Sequence, residues 1–112
     1  MFCAFEGAPR IVRLHGQGVA VEPPDADFAT LSARFAPASH TRAIVRVELT
    51  RISDSCGYGV PRFRYDGERP QLDAWASRKS GDELRAYQVR NNRASVDGLA
   101  GLRWASSVQN TE

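Results

Sequence analysis

Two arginines alternate with two aromatic residues in the middle of the chain, where Arg62, Phe63, Arg64 and Tyr65 follow one another. Basic side chains interleaved with aromatic rings can bind nucleic acid, because the cations meet phosphates and the bases stack on the rings. Further arginines extend this hypothesis of a small basic RNA-binding module: Arg85, Arg90 and Arg93. A half-exposed β-strand explains the same alternation. Nucleic acid is therefore the least favoured partner.

Histidines, cysteines and glycines also carry chemistry in many proteins, but their spacing here gives no metal or nucleophile motif. Cys3 and Cys56 form no Cys-x-x-Cys pair, so two reduced thiols are expected and no zinc site is predicted. His15 could act as an acid or base, yet nothing nearby in sequence orients it, and an ordinary strand histidine is preferred. Gly57 and Gly59 lack the third glycine and the following helix of a phosphate-binding loop. No metal ligand and no catalytic residue is assigned.

The composition favours one soluble domain. The chain has 112 residues, of which 42% are hydrophobic and 25% charged, and its net charge of +2 is too small to indicate nucleic acid. No apolar run is long enough to cross a membrane, and Met1–Phe5 is too short for a secretory signal, so a cytoplasmic location is expected. We assign residues 1–105 to a single domain and expect residues 106–112 to be a disordered tail.

A hairpin is predicted at the start of the chain. Met1–Phe5 indicates a short apolar strand, and Arg10–Val21 indicates a longer strand with its polar groups on one face. Gly16 and Gly18 suggest a bulge or the close approach of another backbone. A strand at the first residue leaves unpaired amides beside apolar side chains, which natural sheets avoid. Either another segment covers this edge, or the natural chain starts further upstream.

Three helices are predicted after the hairpin. Asp25 is expected to cap the first, which stops at Pro37 and buries one stripe: Phe28, Leu31 and Phe35. Pro70 opens the second, on which Trp75 is expected to pack in the core. Ser80 and Glu83 have the spacing of a capping box and begin the third.

A strand and two loops complete the expected elements. Arg42–Ile52 alternates apolar and polar residues and is the clearest strand. A run of turn-forming residues follows it, from Ser53 to Pro61, and the chain from Ser95 onward is expected to be loop.

Three segments resemble proteins of the pyridoxamine 5'-phosphate oxidase-like family. Residues 1–16 read MFCAFEGAPRIVRLHG and resemble the family's central hairpin. Residues 53–61 read SDSCGYGVP, and residues 95–99 read SVDGL; both resemble segments of one bacterial branch. The resemblance extends from Met1 to about Leu102, and its most specific part is the run DSCGYG.

The resemblance implies a split β-barrel of the FMN-binding type, mainly β with α. Here it would be a partial barrel of antiparallel strands with about three helices, corresponding to the C-terminal portion of a family member. It implies a homodimer that holds flavin mononucleotide (FMN), or in some members a deazaflavin, between its protomers. The family's earlier strands supply most of the groups that hold the flavin phosphate, and they have no counterpart here.

The resemblance also implies a set of cofactor-binding residues: Arg10, Arg13, Cys56, Gly57 and Tyr58. Arg10 and Arg13 match two arginines of an Arg-Gln-Val-Arg strand whose Gln touches the flavin, but that position here is Ile11, which cannot donate a hydrogen bond. Arg13 would face a phosphate or flavin carbonyl, or else solvent. Cys56 and Gly57 would let a planar ring approach the backbone, and Tyr58 would stack on it. The alternative is a tight structural turn in which Cys56 is buried.

Three functions are therefore carried forward. The first is an FMN-dependent oxidoreductase of unknown substrate, in which the flavin does the chemistry. The second is a truncated, non-catalytic fragment that self-associates without binding flavin. The third is the basic RNA-binding module.

Overall fold

The structure is a computed structural model that describes residues 1–108. Its elements, in chain order, are β1 (Phe2–Cys3), β2 (Arg10–Val21), α1 (Phe28–Ser32), β3 (Ile44–Cys56), α2 (Gln71–Ser77), α3 (Gly81–Asn92) and α4 (Arg103–Ser106). Strands and helices hold similar numbers of residues, so the fold is mixed α/β rather than mainly β. The described part of the chain shows an open three-stranded sheet, and a split barrel is implied by the family alone.

The chain divides into two compact units. One consists of Met1–Val19 and Arg46–Glu68, and the other begins with Ala20–Val45 and resumes at Arg69. The first holds most of the sheet and the second holds the helices. Whether they act as the single domain assigned above stays a prediction.

The sheet of the first unit has the order β1-β2-β3. β1 pairs antiparallel with β2, with Phe2 opposite Val12 and Cys3 opposite Ile11. β3 also runs antiparallel to β2, because Gly57 N–H donates to the Pro9 carbonyl while Thr50 Oγ1 bonds the His15 carbonyl further along β2. The predicted hairpin and the bounds of β2 are confirmed, although β1 is shorter than expected.

Gly16 lies on β2 directly against the backbone of β3. A Cβ atom at this position would overlap the backbone carbonyl of Glu48 on β3. The predicted close approach of another backbone is confirmed at Gly16.

The edge beside β1 was expected either to be covered by another segment or to reflect a natural chain that starts further upstream. β1 is only two residues long, and beyond it Phe63 N–H donates to the Phe5 carbonyl at 3.1 Å, so a second segment runs beside this part of the chain. The longer edge belongs to β3, which continues through Cys56 rather than ending at Ile52. An edge strand of this length presents unpaired backbone groups to any further strand.

The helices of the second unit include the predicted capping box. Ser80 Oγ accepts a hydrogen bond from Glu83 N–H, and the Glu83 carboxylate accepts one from Ser80 N–H, so the capping box begins α3 as predicted. α2 begins after Pro70, also as predicted.

The first helix differs from its prediction. α1 has five residues, its N-cap is Asp27 rather than Asp25, and none of its residues is fully buried. Phe35 lies beyond its end with 64% of its surface exposed, so the expected apolar stripe does not form. Asp25 instead accepts hydrogen bonds from Glu22 N–H and from Arg103 Nη2.

The loop expected from Ser95 onward contains a helix, α4, which builds the core of the second unit. Trp104 is 3% exposed and Ala105 is fully buried, and both pack with Val89 of α3 and with Leu102. Ser106, assigned above to a disordered tail, is the last residue of α4. Residues 109–112 of that tail lie outside the described residues.

Glu22 is the polar anchor of this core. Its carboxylate is 4% exposed and accepts hydrogen bonds from the backbone N–H groups of Arg103 and Trp104, at 3.1 and 2.9 Å. The first turn of α4 has no other side-chain cap. Glu22 therefore satisfies two of the N–H groups that every helix start leaves without intrahelical partners.

Candidate functional site

Four of the five predicted cofactor-binding residues lie at one end of the sheet, where β2 begins and β3 ends: Arg10, Arg13, Cys56 and Gly57. Arg13 Nη1 donates a hydrogen bond of 2.8 Å to Ser55 Oγ across the two strands. Arg10 Nε lies 3.8 Å from Asp54 Oδ2, and both side chains are more than 60% exposed. We call this group the Arg13–Ser55 cluster: Arg10, Arg13, Asp54 and Ser55.

The cluster offers donors suited to an oxyanion. A guanidinium has five N–H donors, so Arg13 keeps others beyond the one directed at Ser55, and a hydroxyl can donate as well as accept. Arg10 adds a second cation at the same strand end. The Asp54 carboxylate lowers the local positive potential, but an exposed ion pair of this kind is weak and readily exchanges partners.

Gly57 occupies the tightest position next to the cluster. It is buried, and a Cβ there would lie 2.7 Å from the backbone nitrogen of Arg10. Its N–H donates to the Pro9 carbonyl, and its carbonyl accepts from Val60 N–H at 2.8 Å. These contacts show that Gly57 forms part of a tight structural turn.

Cys56 and Tyr58 flank this turn and point outward. Cys56 is exposed, so it is not the buried residue that the structural-turn interpretation expected. Tyr58 is 85% exposed and remains available to contact a ring from solvent. Gly57 therefore contributes only backbone contacts to the turn, whereas Cys56 and Tyr58 have solvent-accessible side chains.

A second feature of the first unit is an open cleft of about 520 Å³. Its lining residues come from the hairpin turn and from the basic-aromatic segment: Phe5, Glu6, Gly7, Arg62, Phe63 and Arg64. The Phe5 and Phe63 rings meet edge to face with centroids 5.3 Å apart, and Tyr65 N–H donates to Glu6 Oε1. Residues 62–65 form no regular strand.

The arginines of the RNA-binding hypothesis have structural contacts in the second unit. The Arg85 guanidinium lies 3.8 Å from the centroid of the Trp104 ring, and that of Arg90 lies 5.6 Å from the Tyr87 ring. Arg93 Nη2 donates to the Val108 carbonyl. Cation–π and carbonyl contacts of this kind explain these arginines without nucleic acid.

The remaining sequence candidates gather no partners for catalysis or metal binding. His15 is exposed, and its backbone carbonyl rather than its ring is the group that Thr50 contacts. Within residues 1–108, no three His, Cys, Asp or Glu side chains come together as a metal site. Over the same range, no helix is long and apolar enough to cross a membrane.

Asp54 and Ser55 are the cluster residues that the sequence did not single out, and Ser55 is the one that bonds Arg13. It lies 42 positions from Arg13 along the chain and meets it because β3 continues past Ile52 and pairs with β2. The sequence feature that could have identified Ser55 was its position in the run SDSCGYGVP, but the composition of that run favoured a turn rather than a strand.

Comparison with known proteins assigns the class. No family model matches the chain, and no solved structure matches it closely. A curated relative does, and through it the chain belongs to the pyridoxamine 5'-phosphate oxidase-like family, as the resemblance indicated. That relative is the pyridoxamine 5'-phosphate oxidase family protein ustO of Aspergillus flavus. The two are 34% identical over an alignment 120 residues long, gaps included, which covers 94% of this chain. The chain spans 48% of the relative's length.

Proposed function

We propose that the chain is the flavin-binding part of an oxidoreductase of the pyridoxamine 5'-phosphate oxidase-like class, and that the Arg13–Ser55 cluster holds the FMN phosphate. The observation that carries the proposal is the 2.8 Å bond between Arg13 and Ser55, because it places a guanidinium and a hydroxyl on adjacent strands at one point. Arg and Ser side chains at such a distance suit phosphate recognition, in which several donors share three oxygens. The substrate is not part of the proposal.

The donor set fits the phosphate end of FMN better than the ring end. Arg10, Arg13 and Ser55 supply cations and a hydroxyl. At the ring end, the exposed Tyr58 offers an aromatic face and a phenol, and Ile11 offers no donor. A flavin held here would rely on further groups for its ring, and the family's homodimer is where we propose they come from.

The residues of this chain would act by binding and positioning. The bound flavin would supply the hydride-accepting chemistry, as cofactors do in such enzymes. Arg13 and Ser55 would fix the phosphate, and Tyr58 would cover one face of the ring and exclude water from it.

Replacing Arg13 by Gln is expected to weaken FMN binding by about tenfold or more, since charge-assisted hydrogen bonds to phosphate are about twice as strong as neutral ones. FMN fluorescence quenching, titrated with the purified chain, measures the dissociation constant directly. A deazaflavin analogue in a parallel titration identifies which flavin type is preferred.

Arg51→Gln provides the matched control for this titration. Arg51 is an exposed arginine on β3, so its replacement removes the same charge from the same sheet. Equal weakening by both variants would show only general electrostatic attraction and would contradict a phosphate site at Arg13. A chain that quenches no FMN at all would contradict the flavin proposal.

The exposed edge of the sheet favours a second candidate, the non-catalytic self-associating fragment. β3 is a 13-residue edge strand, and Val47 and Leu49 on it are 45% and 48% exposed. An apolar edge of this kind pairs readily with a second copy of the same strand. This candidate shares the family's tendency to dimerise but needs no cofactor.

Leu49→Lys is expected to shift the chain towards monomer, because it replaces an exposed apolar side chain by a charge on the apolar face of the edge strand. Light scattering coupled to gel filtration measures the change, with Thr50→Lys, which lies on the opposite face of β3, as the control. Association without FMN quenching would favour this candidate, whereas a monomeric parent chain would exclude it.

A further inference from the structure

A pocket of about 350 Å³ lies within the second unit, apart from any residue used in the flavin proposal. Its walls come from α2, α3 and the segment before β3, and its lining residues are His40, Arg42, Leu72, Trp75, Leu84, Tyr87, Gln88 and Asn92. This volume falls at the small end of the range for ligand-binding pockets, about 300–1,000 Å³. It suits a ligand of a single ring with a few substituents.

One side of the pocket is aromatic and apolar. The rings of Trp75 and Tyr87 meet edge to face with their centroids 4.7 Å apart. Tyr87 is 40% exposed and Leu72 is 54% exposed, so this wall is not closed by other side chains. Trp75 was expected in the core, but it is only partly buried and forms part of this wall. Such a surface favours a planar apolar body, which stacks or packs against the rings.

The pocket also has two lining side chains with cationic forms, His40 and Arg42, on a segment whose backbone is held in place. The buried Gln88 donates from Nε2 to the His40 carbonyl at 3.1 Å. The buried Trp104 donates from its indole N–H to the Arg42 carbonyl, also at 3.1 Å. Because both donors belong to the packed helices, the segment is ordered before any ligand arrives, which lowers the entropic cost of binding.

Arg42 is the group best placed to recognise an anion. Its Nη1 donates to Asn92 Oδ1 at 2.8 Å, which fixes the guanidinium at the pocket wall. One of five N–H donors is used in that bond, and the planar fork suits a carboxylate.

Two cations lie against the aromatic wall. Lys79 Nζ lies 4.8 Å from the Trp75 ring centroid, and the Arg90 guanidinium lies 5.6 Å from that of Tyr87. The opposing charge is Asp73, whose Oδ1 lies 3.6 Å from His40 Nδ1 and whose side chain is 80% exposed. A pocket with this rim attracts anions over neutral molecules of the same shape.

We propose that this pocket binds a small planar organic anion, of the aromatic monocarboxylate class. The ring of the ligand packs against Trp75 and Tyr87, and its carboxylate pairs with the Arg42 guanidinium. Benzoate is the simplest probe of this class, and benzamide has the same shape without the charge.

The chain's two tryptophans give a sharp readout, because each contributes one indole N–H resonance to a ¹H–¹⁵N spectrum. A Trp75→Phe variant assigns the two signals. Titration with benzoate is expected to shift the Trp75 signal saturably, with a dissociation constant on the order of 1 mM for a ligand of this size. Benzamide is expected to bind several-fold more weakly.

Arg42→Gln is expected to weaken benzoate binding by about tenfold while leaving benzamide binding unchanged, since Gln can still bond Asn92 but carries no charge. Arg69→Gln, an exposed arginine just before α2, is the control and is expected to bind benzoate as the parent does. Absence of a saturable Trp75 shift, or equal affinity for benzoate and benzamide, would overturn the proposal. So would an Arg42→Gln variant that keeps its folded spectrum and the parent's benzoate affinity.

Discussion

Glu22→Gln is expected to lower the free energy of unfolding at neutral pH by about 2 kcal/mol, because two buried N–H donors lose a charged acceptor. The carboxylate accepts from Arg103 N–H and Trp104 N–H at the start of α4. A glutamine has one acceptor oxygen, and its amide nitrogen would face the other donor. Chemical denaturation followed by tryptophan fluorescence measures the loss, since Trp104 lies in the affected helix.

The effect of this substitution is expected to shrink in acid. Burial by itself raises the pKa of the Glu22 carboxyl, but the hydrogen bonds from Trp104 and Arg103 and the charge of Arg103 together outweigh it, so the pKa lies below its ordinary value of 4.5. A carboxyl with a lowered folded-state pKa contributes stability that is fully present above the unfolded-state pKa. That contribution disappears as the pH falls through the lower folded-state value.

The unfolding free energies of the parent and of Glu22→Gln should therefore converge as the pH drops below about 4.5. Glu48→Gln is the matched control, because Glu48 pairs with Arg46 on the sheet with 73% of its side chain exposed. Exposed pairs contribute little, so this control should change stability by less than about 1 kcal/mol at any pH. A difference for Glu22→Gln that stays constant down to strongly acidic pH would contradict the assigned role.

Gly57→Ala is expected to destabilise the chain by about 2 kcal/mol, within the usual range for overpacking a tight site. The added Cβ would lie 2.7 Å from Arg10 N and 3.1 Å from the carbonyl carbons of Arg10 and Pro9. These are backbone atoms, so the strain cannot be relieved by rotating a side chain. The β2 and β3 ends would have to separate.

The same variant tests whether the strand ends form the flavin site. Separating β2 from β3 would also separate Arg13 from Ser55, so FMN binding should weaken together with stability. Gly59→Ala is the control, because a Cβ there meets nothing within 4 Å. Unchanged FMN affinity in a folded Gly57→Ala chain would place the flavin phosphate elsewhere.

The features that the sequence predicted correctly depend on neighbours in the chain. β2 was predicted with its observed bounds because side-chain alternation has a period of two. The capping box of α3 joins residues three positions apart. The family was also recognised from contiguous runs and is confirmed by the curated relative.

The features that the sequence missed depend on residues brought together by folding. Turn-forming residues favoured ending β3 at Ile52, but pairing with β2 carries the strand to Cys56 and brings Ser55 to Arg13. Phe35 fits a helical stripe by its spacing, yet α1 ends before it and leaves it exposed. For β3, pairing with β2 outweighed a local preference for a turn worth less than about 1 kcal/mol per residue.

The sequence by itself determined β2, the capped helix and the family of this protein, because periodicity, capping and contiguous motifs are local properties of the chain. Tertiary structure alone decided which side chains meet. Glu22 lies 82 positions from Trp104, and only folding makes it the cap of α4. The same helix holds the Arg42 segment through the Trp104 indole, so the proposed anion pocket depends on a contact that no local pattern encodes.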